Sequence, residues 1–174
     1  DPYLVSSLIQ SHPMIKTAIA KKFYPHTLII HLEEYQPFAY LQFDDSYYLI
    51  DRDQRPLQQF AYLPESNRAI LSGIPPNEIQ LETPINSRNL DLGLELLSFA
   101  QSELDWEQIA RIDISDPLNI KLQLKGNQTF VHFGATNFQK RVLDFKEYYP
   151  QLVQQHSHIK TIDLRYPQQI LITE

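Results

Sequence analysis

The chain has 174 residues, 43% of them hydrophobic, and a formal net charge of −6 at pH 7, which suits one compact domain or two small ones rather than a disordered chain. The acidic balance argues against a nucleic-acid-binding surface, because such surfaces show as a basic excess. Cysteine is absent and glycine occurs only at positions 73, 93, 126 and 134, so the sequence excludes disulfides, thiolate sites and glycine-rich phosphate loops.

The N-terminal part predicts a helix followed by strands. In PYLVSSLIQ, Leu4, Leu8 and Ile9 recur at helical spacing, Asp1 is placed to cap the helix, and Pro2 suits its first position. Strand patterns follow in IKTAIAKKF, TLIIHLEEY, PFAYLQF and SYYLI, and the last of these ends in a turn at residues 51–54. Residues 63–86 are rich in Pro, Asn and Glu, which predicts a connecting loop with one short strand around residues 69–71.

The middle of the chain predicts a second helix and then a meander of three strands. Asn86 or Ser87 is placed to cap the helix, and Gly93 weakens it by about 1 kcal/mol relative to Ala. The helical stripe consists of Leu90, Leu94, Leu97 and Gln101. The strands are ARIDIS, LNIKLQL and TFVHF, with a hairpin turn at residues 125–128 centred on Gly-Asn. The expected inward side chains of the second strand are Leu118, Ile120, Leu122 and Leu124.

The C-terminal part predicts a third helix and two strands. Thr136 and Gln139 match a capping box, and Pro150 is expected to open a separate turn. The apolar stripe consists of Phe138, Val142, Phe145 and Tyr149. The last stretch, IDLRYPQQILI, supplies two strand segments around a turn. We therefore predict an α+β fold with a mainly antiparallel sheet, two flanking helices and one polar sheet face.

The final strand is expected to lie at a sheet edge that is open to a partner. No Lys and no Pro interrupts residues 168–172, although these residues commonly protect an exposed edge. A partner segment could add there as a further strand, with backbone hydrogen bonds giving affinity and alternate side chains giving specificity.

Three stretches, in order along the chain, resemble the FtsQ/DivIB family of cell-division proteins. They are YPHTLIIHLEEYQPFAYL at residues 24–41, KLQLKGNQTFVHFGATNFQKRVLDFKEYYPQL at residues 121–152, and IDLRYP at residues 162–167. The resemblance implies the C-terminal part of a POTRA domain at residues 1–45 and an FtsQ-type β-domain at residues 46–174. It also implies that a strand and helix of the POTRA domain, and a single membrane-anchoring helix, lie upstream of this chain.

The resemblance further implies a non-enzymatic divisome scaffold without cofactors, located outside the inner membrane at the division septum. Its expected partners are bitopic division proteins of FtsB/FtsL type, bound through the last strands and the adjacent helix. Carried over by position, the partner-binding residues are Glu147, Arg165, Tyr166, Gln169, Ile170, Leu171 and Ile172.

Two positions depart from the family's usual pattern. Gln54 stands where a hairpin glycine is usual, and Asp116-Pro117 stands where Arg residues often precede the strand. An acid at position 116 would repel a partner acid that an Arg would attract, so the partner or its pairing is expected to differ.

Other functions remain as alternatives. A POTRA-bearing module of an outer-membrane assembly or secretion machine would also bind extended segments by strand addition. A periplasmic enzyme would need converging acids or histidines in a cleft, and the sequence singles out none. His156 and His158 are two apart but lack an evident third metal ligand, and DRDQRP at residues 51–56 lacks the Gly and Glu of a calcium loop.

Overall fold

A computed structural model describes residues 1–78, 84–104, 109–126 and 128–174. The helices are α1 (Pro2–Gln10), α2 (Arg88–Glu103) and α3 (Phe138–Gln155), with a short 3-10 turn at Pro76–Glu78. The strands are β1 (Ile15–Phe23), β2 (Thr27–Glu34), β3 (Ala39–Phe43), β4 (Ser46–Ile50), β5 (Pro56–Phe60), β6 (Ile70–Ser72), β7 (Ile109–Asp113), β8 (Ile120–Leu124), β9 (Phe130–Gly134), β10 (Thr161–Asp163) and β11 (Leu171–Thr173). The predicted α+β class is confirmed.

The N-terminal unit is a helix on a two-stranded sheet. The Asp1 carboxylate accepts a hydrogen bond from the Tyr3 N–H at 2.9 Å, so α1 is capped as the sequence predicts. Strands β1 and β2 pair antiparallel and share no ladder with the rest of the described chain. Helix α1 packs against β1, where the Ser6 hydroxyl accepts the N–H of Ala20 at 2.8 Å. Every residue of β2 is exposed.

A nine-stranded sheet forms the rest of the fold. Its strand order is β11-β10-β9-β8-β7-β6-β3-β4-β5. The pairs β3–β6, β6–β7 and β9–β10 are parallel, and the other five are antiparallel. Strand β3 already belongs to this sheet, so the two sheets separate around residues 35–38. The predicted domain boundary between residues 45 and 46 stays a prediction.

Helices α2 and α3 cover one face of the large sheet. Alternate residues of β8 to β10 point toward them and are buried, as period-two patterning predicts. In β7 a bulge places the buried residues, Ile109 and Ile112, three apart. Gly93 of α2 lies where a Cβ would come within 2.5 Å of Ile114 Cγ2 and 2.6 Å of Leu71 Cδ2. The helix can therefore approach the sheet only because this residue has no side chain, which accounts for a glycine inside a helix.

Across β7 to β9 the opposite face of the sheet is polar, as predicted, whereas at β3 and β4 it carries the buried Tyr40 and Leu49. Arg111, Lys121, Gln123 and His132 lie half-buried on the polar part, because each has a buried neighbour on its strand. Lys121 forms an ion pair with Asp113 on the adjacent strand at 3.2 Å.

Gln54 links the β4–β5 turn to the start of α2. Its backbone has φ +59°, a left-handed conformation that a glycine would adopt more readily. Its buried side chain accepts the Ser87 N–H at 2.8 Å and donates to the Ser87 carbonyl at 3.1 Å. The side chain also donates to Asp91 in the first turn of α2. A glycine could make none of these side-chain contacts, so the departure at position 54 has a structural use.

Turn chemistry overrides two predictions. Leu118 is 73% exposed rather than inward, because Asp116 accepts the Leu118 N–H at 2.9 Å and holds a turn that delays β8 until Ile120. Thr136 and Gln139 do not form a capping box. The N-cap is Asn137, in a left-handed conformation with φ +58° and without a side-chain cap, and the helix begins at Phe138.

Pro150 does not open a separate turn, because α3 continues to Gln155. Phe145 stacks on Tyr149 at 4.7 Å between ring centroids, and Leu152 continues that stripe against the core. The apolar packing therefore outweighs the hydrogen bond that proline cannot donate. The predicted loop residues 79–83 and the turn residue Asn127 lie outside the described residues.

Candidate partner-binding site

The final strand lies at an open edge of the large sheet, as the sequence predicts. Strand β11 pairs antiparallel with β10 on one side, with Ile162 opposite Ile172, and it stands at the end of the strand order. Strand β10 lies between β11 and β9, with which it pairs in parallel. The edge is therefore provided by the last three strand residues.

Backbone direction identifies which groups of β11 are open. The Leu164 N–H donates to the His132 carbonyl at 3.0 Å, so even-numbered residues of β10 face β9 and odd-numbered ones face β11. The Thr173 carbonyl accepts the Lys160 N–H at 2.8 Å, so the backbone groups of Thr173 face β10. Since successive residues alternate, the N–H and C=O of Ile172 point to the open edge.

A groove lies beside this edge, between α3 and the segment that joins β10 to β11. Its volume is about 510 Å³. Its lining includes Leu164, Tyr166, Gln168, Gln169 and Ile170 from that segment, and Lys140, Asp144 and Tyr148 from α3. Tyr166 is 49% exposed and Tyr148 is similarly accessible, so two aromatic rings offer apolar area to a ligand.

Charge within the groove is balanced. Lys140 and Asp144 form an ion pair at 2.7 Å, one helical turn apart on α3. Tyr148 follows one further turn along the same face. The groove thus combines two rings with one neutralised pair, a surface that suits an extended peptide rather than a strongly charged ligand.

Arg165, the predicted adjacent charge, is held by Asp163. Its Nη2 lies 2.6 Å from Asp163 Oδ2, and its Nε lies 2.9 Å from Oδ1. Burial raises the pKa of the Asp163 carboxyl, but the hydrogen bonds and charge of Arg165 outweigh burial and hold that pKa below its usual value. The Arg165 guanidinium is thereby oriented across the polar sheet face.

The predicted site residues do not all lie together. Tyr166, Gln169 and Ile170 line the groove together. Ile172 is half-buried against the core, whereas Leu171 is 47% exposed on the other sheet face.

Glu147 is exposed on α3 outside the groove lining, so the geometry does not join it directly to the tyrosines. The residues that sequence reasoning missed are Lys140, Asp144 and Tyr148. Their i, i+4 spacing, which marks one helix face, is the signal that could have identified them.

The histidines at positions 156 and 158 lie near the other end of β11. His156 Nδ1 is 2.7 Å from Glu174 Oε1, and the Lys160 ammonium donates to the Glu174 carbonyl at 2.7 Å. These contacts bring the end of the chain close to the end of α3. Within the residues described, no group of three or more His, Asp or Glu side chains is arranged to hold a metal ion.

Comparison with known families decides the relationship. The family described as cell division protein FtsQ/DivIB, C-terminal, matches residues 39–165, which is most of the chain. The chain belongs to the FtsQ/DivIB family. It is also similar to the cell division protein FtsQ of Geotalea daltonii, with 21% identity over 170 residues. That alignment covers 97% of this chain but 62% of the relative, so the chain spans less than two thirds of that protein's length.

The FtsQ/DivIB match begins at the first residue of β3, where the large sheet begins. It ends at Arg165, inside the segment that joins β10 to β11 and one residue before Tyr166. Among the described residues, no helix is both long enough and apolar enough to cross a bilayer.

The departure from the family pattern at Asp116 lies near this site. Arg165 has a raised pKa, first because of its hydrogen bonds to Asp163 and to a smaller extent because of the charges of Asp163 and Asp116. The negative charge of Asp116 therefore favours the charged form of the Arg165 guanidinium.

Proposed function

We propose that this FtsQ/DivIB-family chain is a non-enzymatic scaffold of the cell-division machinery that binds bitopic division proteins of FtsB/FtsL type. The observation that carries the proposal is the open edge of β11 next to a groove with two tyrosine rings. A partner strand added to the edge would form backbone hydrogen bonds with Ile172. Its side chains on the helix side would then contact Ile170, Tyr166 and Tyr148.

Geometry supports strand addition at this edge. Strand β11 carries a Thr at position 173 and no proline or lysine within its three residues, so neither a missing donor nor a charge opposes pairing. The Gln168 backbone has φ +61°, which bends the segment that joins β10 to β11. Residues on both sides of this bend line the groove, and β11 begins directly after the last of them, Ile170. A partner could therefore occupy the groove and the edge at once.

We also propose that the N-terminal unit is part of a POTRA domain completed by upstream residues. Leu28, Ile30 and Leu32 of β2 pair with β1 residues on the side that α1 covers, yet they are 40–52% exposed. An additional helix and strand of the same protein would cover them. An upstream membrane helix would then place the chain outside the inner membrane, at the division septum.

Site-directed photocrosslinking tests the proposed interface. A photoreactive phenylalanine analogue at position 166 is expected to crosslink, in dividing cells, to a small bitopic division protein of FtsB/FtsL type. The matched control is position 62, where Tyr62 is 85% exposed on another part of the surface. Equal crosslinking from both positions, or none from position 166, would contradict the proposal.

A further inference from the structure

One arginine of α3 donates to carbonyl groups from three separate segments. Arg141 Nη1 donates to the Phe133 carbonyl in β9 and to the Thr136 carbonyl at 2.8 Å in the loop before α3. Arg141 Nη2 donates to the Arg165 carbonyl at 3.2 Å, just after β10. A single guanidinium therefore joins a strand, a helix start and the segment that leads into the groove.

Gly134 makes room for this guanidinium. Its backbone has φ +71°, and a Cβ there would lie 2.8 Å from Arg141 Nη1 and 3.2 Å from Arg165 Cγ. Both distances are shorter than ordinary van der Waals contact, so a side chain would push the guanidinium or Arg165 aside. The chain thus combines a residue without a side chain with the arginine that needs its space.

After Arg165, backbone hydrogen bonding within the segment that joins β10 to β11 is weak. The backbone hydrogen bond from the Gln169 N–H to the Tyr166 carbonyl is long, at 3.5 Å, and Gln168 adopts a left-handed conformation. Asp163 holds the Arg165 guanidinium and also accepts the Arg165 N–H at 3.0 Å, but neither contact reaches the Arg165 carbonyl, which leads to Tyr166. The bond from Arg141 acts on the main chain directly, one residue before Tyr166.

We infer that Arg141 is a positioning residue for the proposed partner-binding groove, holding the backbone at Arg165 so that Tyr166 faces α3. This inference rests on the proposed function. Arginine suits the task because its planar fork carries five N–H donors in fixed directions. Lysine has one nitrogen and cannot direct donors to three separated carbonyls in the same way.

The test compares Arg141→Lys with wild type and with Arg111→Lys, a control on the polar sheet face. Amide hydrogen exchange of residues 165–171 is measured in the free protein, followed by affinity for a purified FtsB-type extracytoplasmic segment. For Arg141→Lys we expect exchange in that segment to accelerate about tenfold, with the β8–β9 hairpin unchanged. The affinity is expected to fall about tenfold, and Arg111→Lys is expected to match wild type.

A second variant tests the same contact with Arg141 retained. Asn is tolerated in the left-handed region, so Gly134→Asn keeps the turn while its Cβ displaces the guanidinium. It is expected to reproduce the local acceleration of exchange, and it replaces Arg141→Lys if that variant fails to fold. Unchanged exchange in the folded variant overturns the inference, as does faster exchange with unaltered affinity. If wild-type protein itself fails to bind the segment, the proposed function is refuted, whatever the exchange shows about Arg141.

Discussion

Proline at position 172 provides a direct test of strand addition. The Ile172 N–H and C=O face the open edge, so a paired partner residue would exchange two hydrogen bonds with it, each contributing about 0.5–1.5 kcal/mol. Proline removes the donor and leaves a partner carbonyl unsatisfied, which costs about 1–3 kcal/mol. We expect partner affinity to weaken by about 2–3 kcal/mol in total, which is roughly 30- to 150-fold in Kd.

The variant should still fold, because proline is tolerated on edge strands where its missing N–H would face solvent. Isothermal titration calorimetry with the partner segment measures the affinity. Ile172→Ala is the matched control, because it removes the half-buried side chain but keeps the N–H. If the Pro and Ala variants bind equally well, backbone pairing at this edge is not the mode of binding.

Three further predictions concern the groove, the core and pH. Tyr166→Ala should weaken partner binding by about 1–2 kcal/mol with little effect on the melting temperature. The control, Tyr62→Ala, should leave both quantities unchanged. An equal loss of binding in the control would contradict binding of the partner in the groove. Gly93→Ala should lower the free energy of unfolding, measured in urea, by about 1–3 kcal/mol, although alanine has the higher helix propensity. A stabilised protein would show that α2 can move away from the sheet. Asp163→Asn should lower the free energy of unfolding by about 0.5–1 kcal/mol at pH 7. Because the native pKa of Asp163 is lowered, its contribution is present above the ordinary carboxyl pKa and is lost as pH falls through the lowered native pKa, so the two proteins should converge once the carboxyl is protonated in both states. A difference that persists in that acidic range would exclude the ion pair as its cause.

Local patterning predicted the elements well, and its failures have local causes. Period-two and period-3.6 spacing identified the strands around β7 to β9 and the buried stripes of α2 and α3. The errors at Leu118 and Thr136 arose where a side chain or a left-handed residue redirects the backbone. Pro150 was misjudged because Tyr149 and Leu152, on either side of it, pack against the core, which is a tertiary contact.

The site was predicted only in part, because it is assembled from segments distant in sequence. The family resemblance, together with the uncharged residues 168–172, pointed to Tyr166, Gln169 and Ile170, which line the groove. The contribution of Tyr148 depends on how α3 lies against the β10–β11 connection, which spacing along one segment does not specify. The contacts of Arg141 depend equally on three segments meeting.

The parallel pairing of β10 with β9 has a consequence for how the molecule is built. Strand β11 has a neighbour only after β10 has returned across α3 to lie beside β9, so the open edge at β11 depends on this long parallel connection. A chain interrupted before Thr161 would retain the hairpin and both helices of the main core but would present β9 as its boundary.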